Sequence, residues 1–249
     1  NVFQPNDTIN ITGTFKNYLE ATSNAAVSIT SNSNAVTLLS VSSTLGVIPT
    51  LGTVTNSSSP FRVIVNNNAP LNSKVVFKLN YTDGSYTDFE YFTITINPDY
   101  LSMNGNNITT TITGKGNLGY IDYWLNTQGE GFKYKNGNSL IVECGLVCAT
   151  SGTKVSDCVR GTNAFIQNAD FTNVIPFQIT KPGIISAQDG NTKFNDNAAG
   201  TNKIGIEIDL SSYQFTTASD SDYIILKYKI KNSNAGEITN FFTGLYNDW

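Results

Sequence analysis

Carboxylates carry whatever acid–base chemistry this chain offers near neutral pH, because the sequence contains no histidine. Histidine is the usual general base at that pH and the commonest nitrogen ligand of transition metals. Its absence removes Ser-His-Asp and Cys-His catalytic pairs and His-ligated zinc or iron. Glu130, Glu143 and Glu207 are then the glutamates a carboxylate-pair glycosidase would use. Such a pair must stand roughly 5 to 10 Å apart, and each of these residues falls on or beside a predicted strand, where a solvent-facing carboxylate is ordinary. The best oxygen-ligand cluster is Asp189-Gly190-Asn191 with Asn195-Asp196-Asn197. Calcium takes carboxylate and carbonyl oxygens of this kind, so Asp189, Asn191, Asn195 and Asp196 are the candidate calcium ligands. The spacing matches no EF-hand, and a turn-forming loop explains the same residues. Asp248 with Asp220 and Asp222 is a second acidic group. No other cofactor is implied.

Tyr120, Tyr123 and Trp124 follow a glycine-rich run, Gly114-Lys115-Gly116-Asn117-Leu118-Gly119. Exposed aromatics stack on sugar faces, so these three are the candidate ligand-stacking residues; core packing is the alternative. The glycine run has the spacing of a dinucleotide fingerprint but lacks the strand–helix context that aims amides at a phosphate. Of the cysteines Cys144, Cys148 and Cys158, the last two flank a hairpin-like turn, so a Cys148–Cys158 disulfide is expected. The alternative is three buried thiols. Asp7-Thr8-Ile9 has the form of a short bacterial O-glycosylation motif, which makes Thr8 a candidate modification site.

These residues sit in a chain that is 39% hydrophobic and only 14% charged, with a net charge of −4. Phosphate binding needs clustered Lys and Arg, so a nucleic-acid partner is not expected. Lys227, Lys229 and Lys231 alternate at strand spacing and read as one solvated face. No stretch approaches the ~18 to 20 apolar residues of a membrane helix.

Strand signals dominate throughout, with β-branched and aromatic alternation in Phe61-Arg62-Val63-Ile64-Val65 and in Val75-Val76-Phe77-Lys78-Leu79. Asp83-Gly84 between two such runs predicts a hairpin. Turn-rich clusters recur about every ten residues, the spacing of a sandwich. The expected fold is all-β, with two β-sandwich domains. Residues 1–97 suit an immunoglobulin-like sandwich, and residues 98–249 a larger, jelly-roll-like sandwich cut short at its C-terminus.

From Asn80 onward the chain resembles the accessory region that follows the catalytic domain in secreted subtilisin-like serine peptidases of Bacteroidetes. The residues that carry the resemblance include Asn80-Tyr81-Thr82-Asp83-Gly84-Ser85-Tyr86, Asn97-Pro98-Asp99-Tyr100-Leu101 and Thr127-Gln128-Gly129-Glu130-Gly131-Phe132-Lys133-Tyr134. Lys154-Val155-Ser156-Asp157-Cys158-Val159-Arg160 and Gly244-Leu245-Tyr246-Asn247-Asp248-Trp249 extend it to the last residue. The resemblance implies a catalytic triad upstream of Asn1, a type IX secretion signal beyond Trp249, and no catalytic residue within this segment. The cysteines depart from the family pattern, where small or apolar residues are commoner; their joint presence at 148 and 158 favours the bridge. The expectation is thus a non-catalytic structural or interaction module of an exported, cell-surface bacterial protein. Its partners would be the catalytic or anchoring domains of the parent chain, and protein or glycan at the surface. A glycan-binding or adhesive module is the alternative, and a carboxylate-dependent hydrolase the second.

Overall fold

The computed structural model describes residues 3–161 and 165–249. The protein is all-β, and it divides into two compact units, Asn1–Pro98 and Asp99–Trp249.

The first unit contains β1 (Thr8–Ile11), β2 (Thr14–Lys16), β3 (Ala25–Thr30), β4 (Val36–Ser40), β5 (Ser42–Gly46), β6 (Thr53–Thr55), β7 (Phe61–Val65), β8 (Ser73–Asp83) and β9 (Tyr86–Ile96). They form antiparallel sheets in the orders β1-β7-β4 and β5-β3-β8-β9, with β2 paired to β6. Alternation drives the burial. In β3, Ala25, Val27 and Ile29 are buried, and in β7, Phe61, Val63 and Val65 are. These residues join Val75, Phe77 and Ile96 in one core. The hairpin expected at Asp83-Gly84 forms with Gly84-Ser85 as its loop, closed by the pair Asp83–Tyr86. Gly84 has φ +60°, and the first position of a two-residue loop of the II′ kind calls for such a left-handed value.

The second unit contains β10 (Tyr100–Met103), β11 (Ile108–Thr113), β12 (Asn117–Leu118), β13 (Phe132–Tyr134), β14 (Glu143–Ser151), β15 (Lys154–Asp157), β16 (Thr172–Thr180), β17 (Gln188–Asn195), β18 (Ile206–Gln214), β19 (Ile225–Asn232) and β20 (Phe242–Asp248). One sheet runs β10-β11-β12-β14-β15, with β13 on β11 and β20 on β14; the other runs β16-β17-β18-β19. Met103, Ile112 and Leu146 from the first sheet meet Phe177, Phe194, Ile208 and Leu210 from the second in a shared core. Lys227, Lys229 and Lys231 are exposed on β19, opposite Ser211, Asp209 and Glu207 of β18, which is the solvated face expected of them. The glycine run 114–119 turns the chain from β11 into β12 and includes that short strand. Gly116 (φ +87°) lets the chain pass beside Cys158 and Phe194, where an added Cβ would come within 3.2 Å of the Cys158 sulfur. Its work is packing.

Candidate functional site

A groove of about 510 Å³ opens in the first unit. It follows from the length of the β8–β9 hairpin. Side chains on its inner face pair as Val75–Ile94 and Phe77–Phe92 in the core, the two phenyl rings stacked 5.1 Å apart. The same face then continues as Leu79–Glu90, Tyr81–Asp88 and Asp83–Tyr86. Alternation is preserved while residue type changes from apolar to tyrosine and carboxylate. The change falls where the hairpin outruns the core, because Asp88 and Glu90 are exposed while Phe77 and Val75 are not.

Phe15 of β2 closes the floor by meeting the Tyr81 ring edge-on at 6.0 Å. The Tyr81 hydroxyl donates to Glu90 Oε2 at 2.9 Å and the Tyr86 hydroxyl to Asp88 Oδ2 at 3.2 Å. Burial first, then the Glu90 hydrogen bond and charge, raise the Tyr81 pKa well above the ordinary phenol value, so it stays a donor. On the opposite wall, Tyr18 is 70% exposed and the Lys16 ammonium lies 4.8 Å from its ring centre. The walls thus carry one cation, Lys16, and three carboxylates, Asp83, Asp88 and Glu90.

Four aspartates, Asp83 of the groove among them, hold loops. Asp83 accepts from the Ser23 and Asn24 amides and the Ser23 hydroxyl. Asp122 accepts from the Thr127 and Gln128 amides. Asp189 accepts from the amides of Ile184, Ile185 and Ser186 and from the Ser186 hydroxyl. Asp196, fully buried, accepts from the amides of Ile204, Gly205 and Ile206. Burial of Asp189 opposes ionisation, but these donated bonds outweigh it and hold the carboxyl below its usual range.

The structure does not assemble the calcium ligands expected at Asp189, Asn191, Asn195 and Asp196. Asp189 and Asp196 lie at opposite ends of β17, roughly 23 Å apart at the rise of an extended strand. Their oxygens face N–H donors, and Asn195 Oδ1 accepts from the Asn197 amide at 3.0 Å. Asp248, Asp220 and Asp222 are each engaged by a different partner. Asp248 pairs with Arg160, Asp220 accepts from Thr217 and Tyr223, and Asp222 accepts from Asn107.

Nor do the glutamates converge. Glu130 pairs with Lys133, and Glu207 with Lys193. Glu143 is buried on β14, where Gln167 donates to one oxygen at 3.0 Å and Arg160 Nε stands 3.6 Å from the other. Burial is the chief cause that raises its pKa, eased by Gln167 and Arg160. Arg160 also grips Asp248, the cross-strand partner of Glu143, and lies 5.7 Å from the Tyr123 ring centre. The two carboxylates therefore share one guanidinium. Trp124 is 55% exposed, but its ring stands at 85° to that of Tyr123 and at 78° to that of Phe165. Tyr120 leans over Gly131. The three aromatics do not make a flat stacking platform.

The expected Cys148–Cys158 bridge is corrected to free thiols: Cys144, Cys148 and Cys158 are all unlinked and buried. Register is the reason. A bulge between Ala149 and Ser151 sets Ser156 opposite Cys148, so Cys158 falls two residues further along. Diagonal neighbours sit roughly 7 to 8 Å apart, beyond the reach of a disulfide. The Cys158 thiol instead approaches the Leu146 carbonyl at 3.6 Å. Burial pushes the Cys144 thiol up to about 12 and that of Cys148 to about 11. Thr8 is exposed at the start of β1.

The groove residues escape sequence reading, although one signal was present. Tyr86, Asp88 and Glu90 recur at period two in register with Phe92 and Ile94. Searches against models of known protein families and against curated proteins find no match to this chain.

Proposed function

We propose that the chain is a non-catalytic interaction module of an exported bacterial surface protein, working beside a subtilisin-like peptidase domain of the same parent polypeptide. The observation that supports this reading most is the use made of acidic side chains. Asp83, Asp122, Asp189 and Asp196 are committed to anchoring loops, and Glu130, Glu143 and Glu207 each to a basic partner. Carboxylates held this way stiffen a scaffold and leave binding to surfaces between the anchored loops. The groove of the first unit is the surface this reading assigns to binding.

The test is direct. Purified chain incubated with fluorescein-labelled casein and with a panel of chromogenic glycosides should release no product above a blank. Turnover of either would overturn the reading. The reading frame that encodes the chain should also encode a subtilisin-type domain upstream, and another kind of neighbour would refute the peptidase association alone.

A further inference from the structure

We propose that the groove of the first unit captures an extended polypeptide segment with basic side chains at alternate positions, which adds as a strand to the free edge of β9. This rests on the reading of the chain as an interaction module and names the chemistry of its partner.

Three observations converge. The first is an edge that no strand among the described residues pairs: the sheet order β5-β3-β8-β9 ends at β9, whose residues from Tyr86 to Tyr91 are exposed. The pair Asp83–Tyr86 closes a two-residue loop, so Tyr81–Asp88 and Leu79–Glu90 are the pairs that exchange hydrogen bonds with β8. Thr87, Phe89 and Tyr91 then turn their amides and carbonyls outward. The Phe89 amide shows the appetite of that edge, because Asp88 Oδ1 accepts its proton at 2.8 Å, in the place a partner strand's carbonyl would take.

The second observation is charge. Asp88 and Glu90 project from the same face of β9 two residues apart, and Asp83 continues the series across the turn. Against them stands Lys16 alone. A strand laid beside β9 places its own alternate side chains ~5 Å from those of Asp88 and Glu90. Ammonium or guanidinium groups at those positions complete the wall.

The third is a ring already holding a cation. Lys16 rests on Tyr18 at the groove mouth, and Lys78 lies 4.4 Å from the Phe89 ring centre on the other face. Exposed aromatic faces around this hairpin therefore accept ammonium groups from the chain itself.

The test compares two octapeptides of equal composition and charge, one alternating Thr and Lys, the other with four Lys followed by four Thr. Binding is read by fluorescence anisotropy at low and at 0.5 M salt. The alternating peptide should bind about tenfold more tightly, from two or three cross-strand ion pairs and the backbone ladder. A D88N/E90Q variant should lose that advantage. Phe89→Pro should lose it too: it removes an outward amide that β8 does not use, and proline is tolerated on edge strands. Thermal unfolding of both variants checks that they remain folded.

Equal binding of the two peptides, or binding of neither, overturns the proposal. So does self-association of the D88N/E90Q variant when the parent chain itself shows no preference between the peptides, which would show that the charges on Asp88 and Glu90 only shield the edge. A failure of this kind leaves the casein and glycoside assays unaffected, so the two readings fall separately.

Discussion

At the scale of single residues, this protein spends its few charges on geometry. Asp196 satisfies three buried amides at once, and Asp196→Ala should lower stability by about 3 kcal/mol or more, since each orphaned buried donor costs roughly 1 to 3 kcal/mol. Denaturant titration at pH 7 measures it, and a loss below 1 kcal/mol would mean that the loop finds other acceptors. Glu143 gives a pH dependence with the opposite sign to a surface carboxylate. Burial raises its folded pKa, so the native chain keeps a proton that the unfolded chain has released. Stability on this account falls as pH rises from the ordinary glutamate range through the raised value. Arg160→Gln removes the compensating charge, and its melting temperature should drop below the parent's at pH 8 with a gap that narrows at pH 5. Equal gaps at both would clear Glu143 of the effect. The thiols are legible only in part. Their apolar setting on alternating strands indicates burial, but one bulge decides which residue faces Cys148, and nothing local in the sequence announces it. All three should resist a thiol reagent in the native state and react together in guanidinium, adding three labels to the non-reduced mass.

Among elements, the β8–β9 hairpin is where sequence and structure agree most closely and also where sequence reading stops short. Asp83-Gly84 and the flanking alternation announce the hairpin because turn chemistry and period two are local properties. The groove is not local. Glu90 and Phe92 occupy equivalent positions along the strand, and only the end of the core beneath them makes one a wall of a cleft and the other a core residue. Asp189 and Asp196 are parted for a related reason: they are close in sequence, but an extended strand carries them to opposite ends. Gly84 tests the turn itself. An added Cβ there meets nothing within 4 Å, so Gly84→Val acts through the backbone alone. At φ +60° it should cost about 1 to 2 kcal/mol. A neutral result would mean that the loop switches to another turn type.

For the molecule as a whole, the two hydrophobic clusters share no residue, one drawn from Ile9 to Ile96 and the other from Met103 to Leu210. A chain ending at Pro98 should therefore fold alone, with a cooperative melt and strand-type circular dichroism; a broad, non-cooperative transition would show that the first core depends on the second. The absence of any cross-link between sulfur atoms has a consequence for maturation. Neither unit needs an oxidant to reach its final state, so the protein should mature equally in a reducing cytoplasm and beyond it. With Cys144, Cys148 and Cys158 enclosed, none is offered to glutathione or to a neighbouring chain once folding is complete. A chain built this way would keep its form where small-molecule reductants rise and fall.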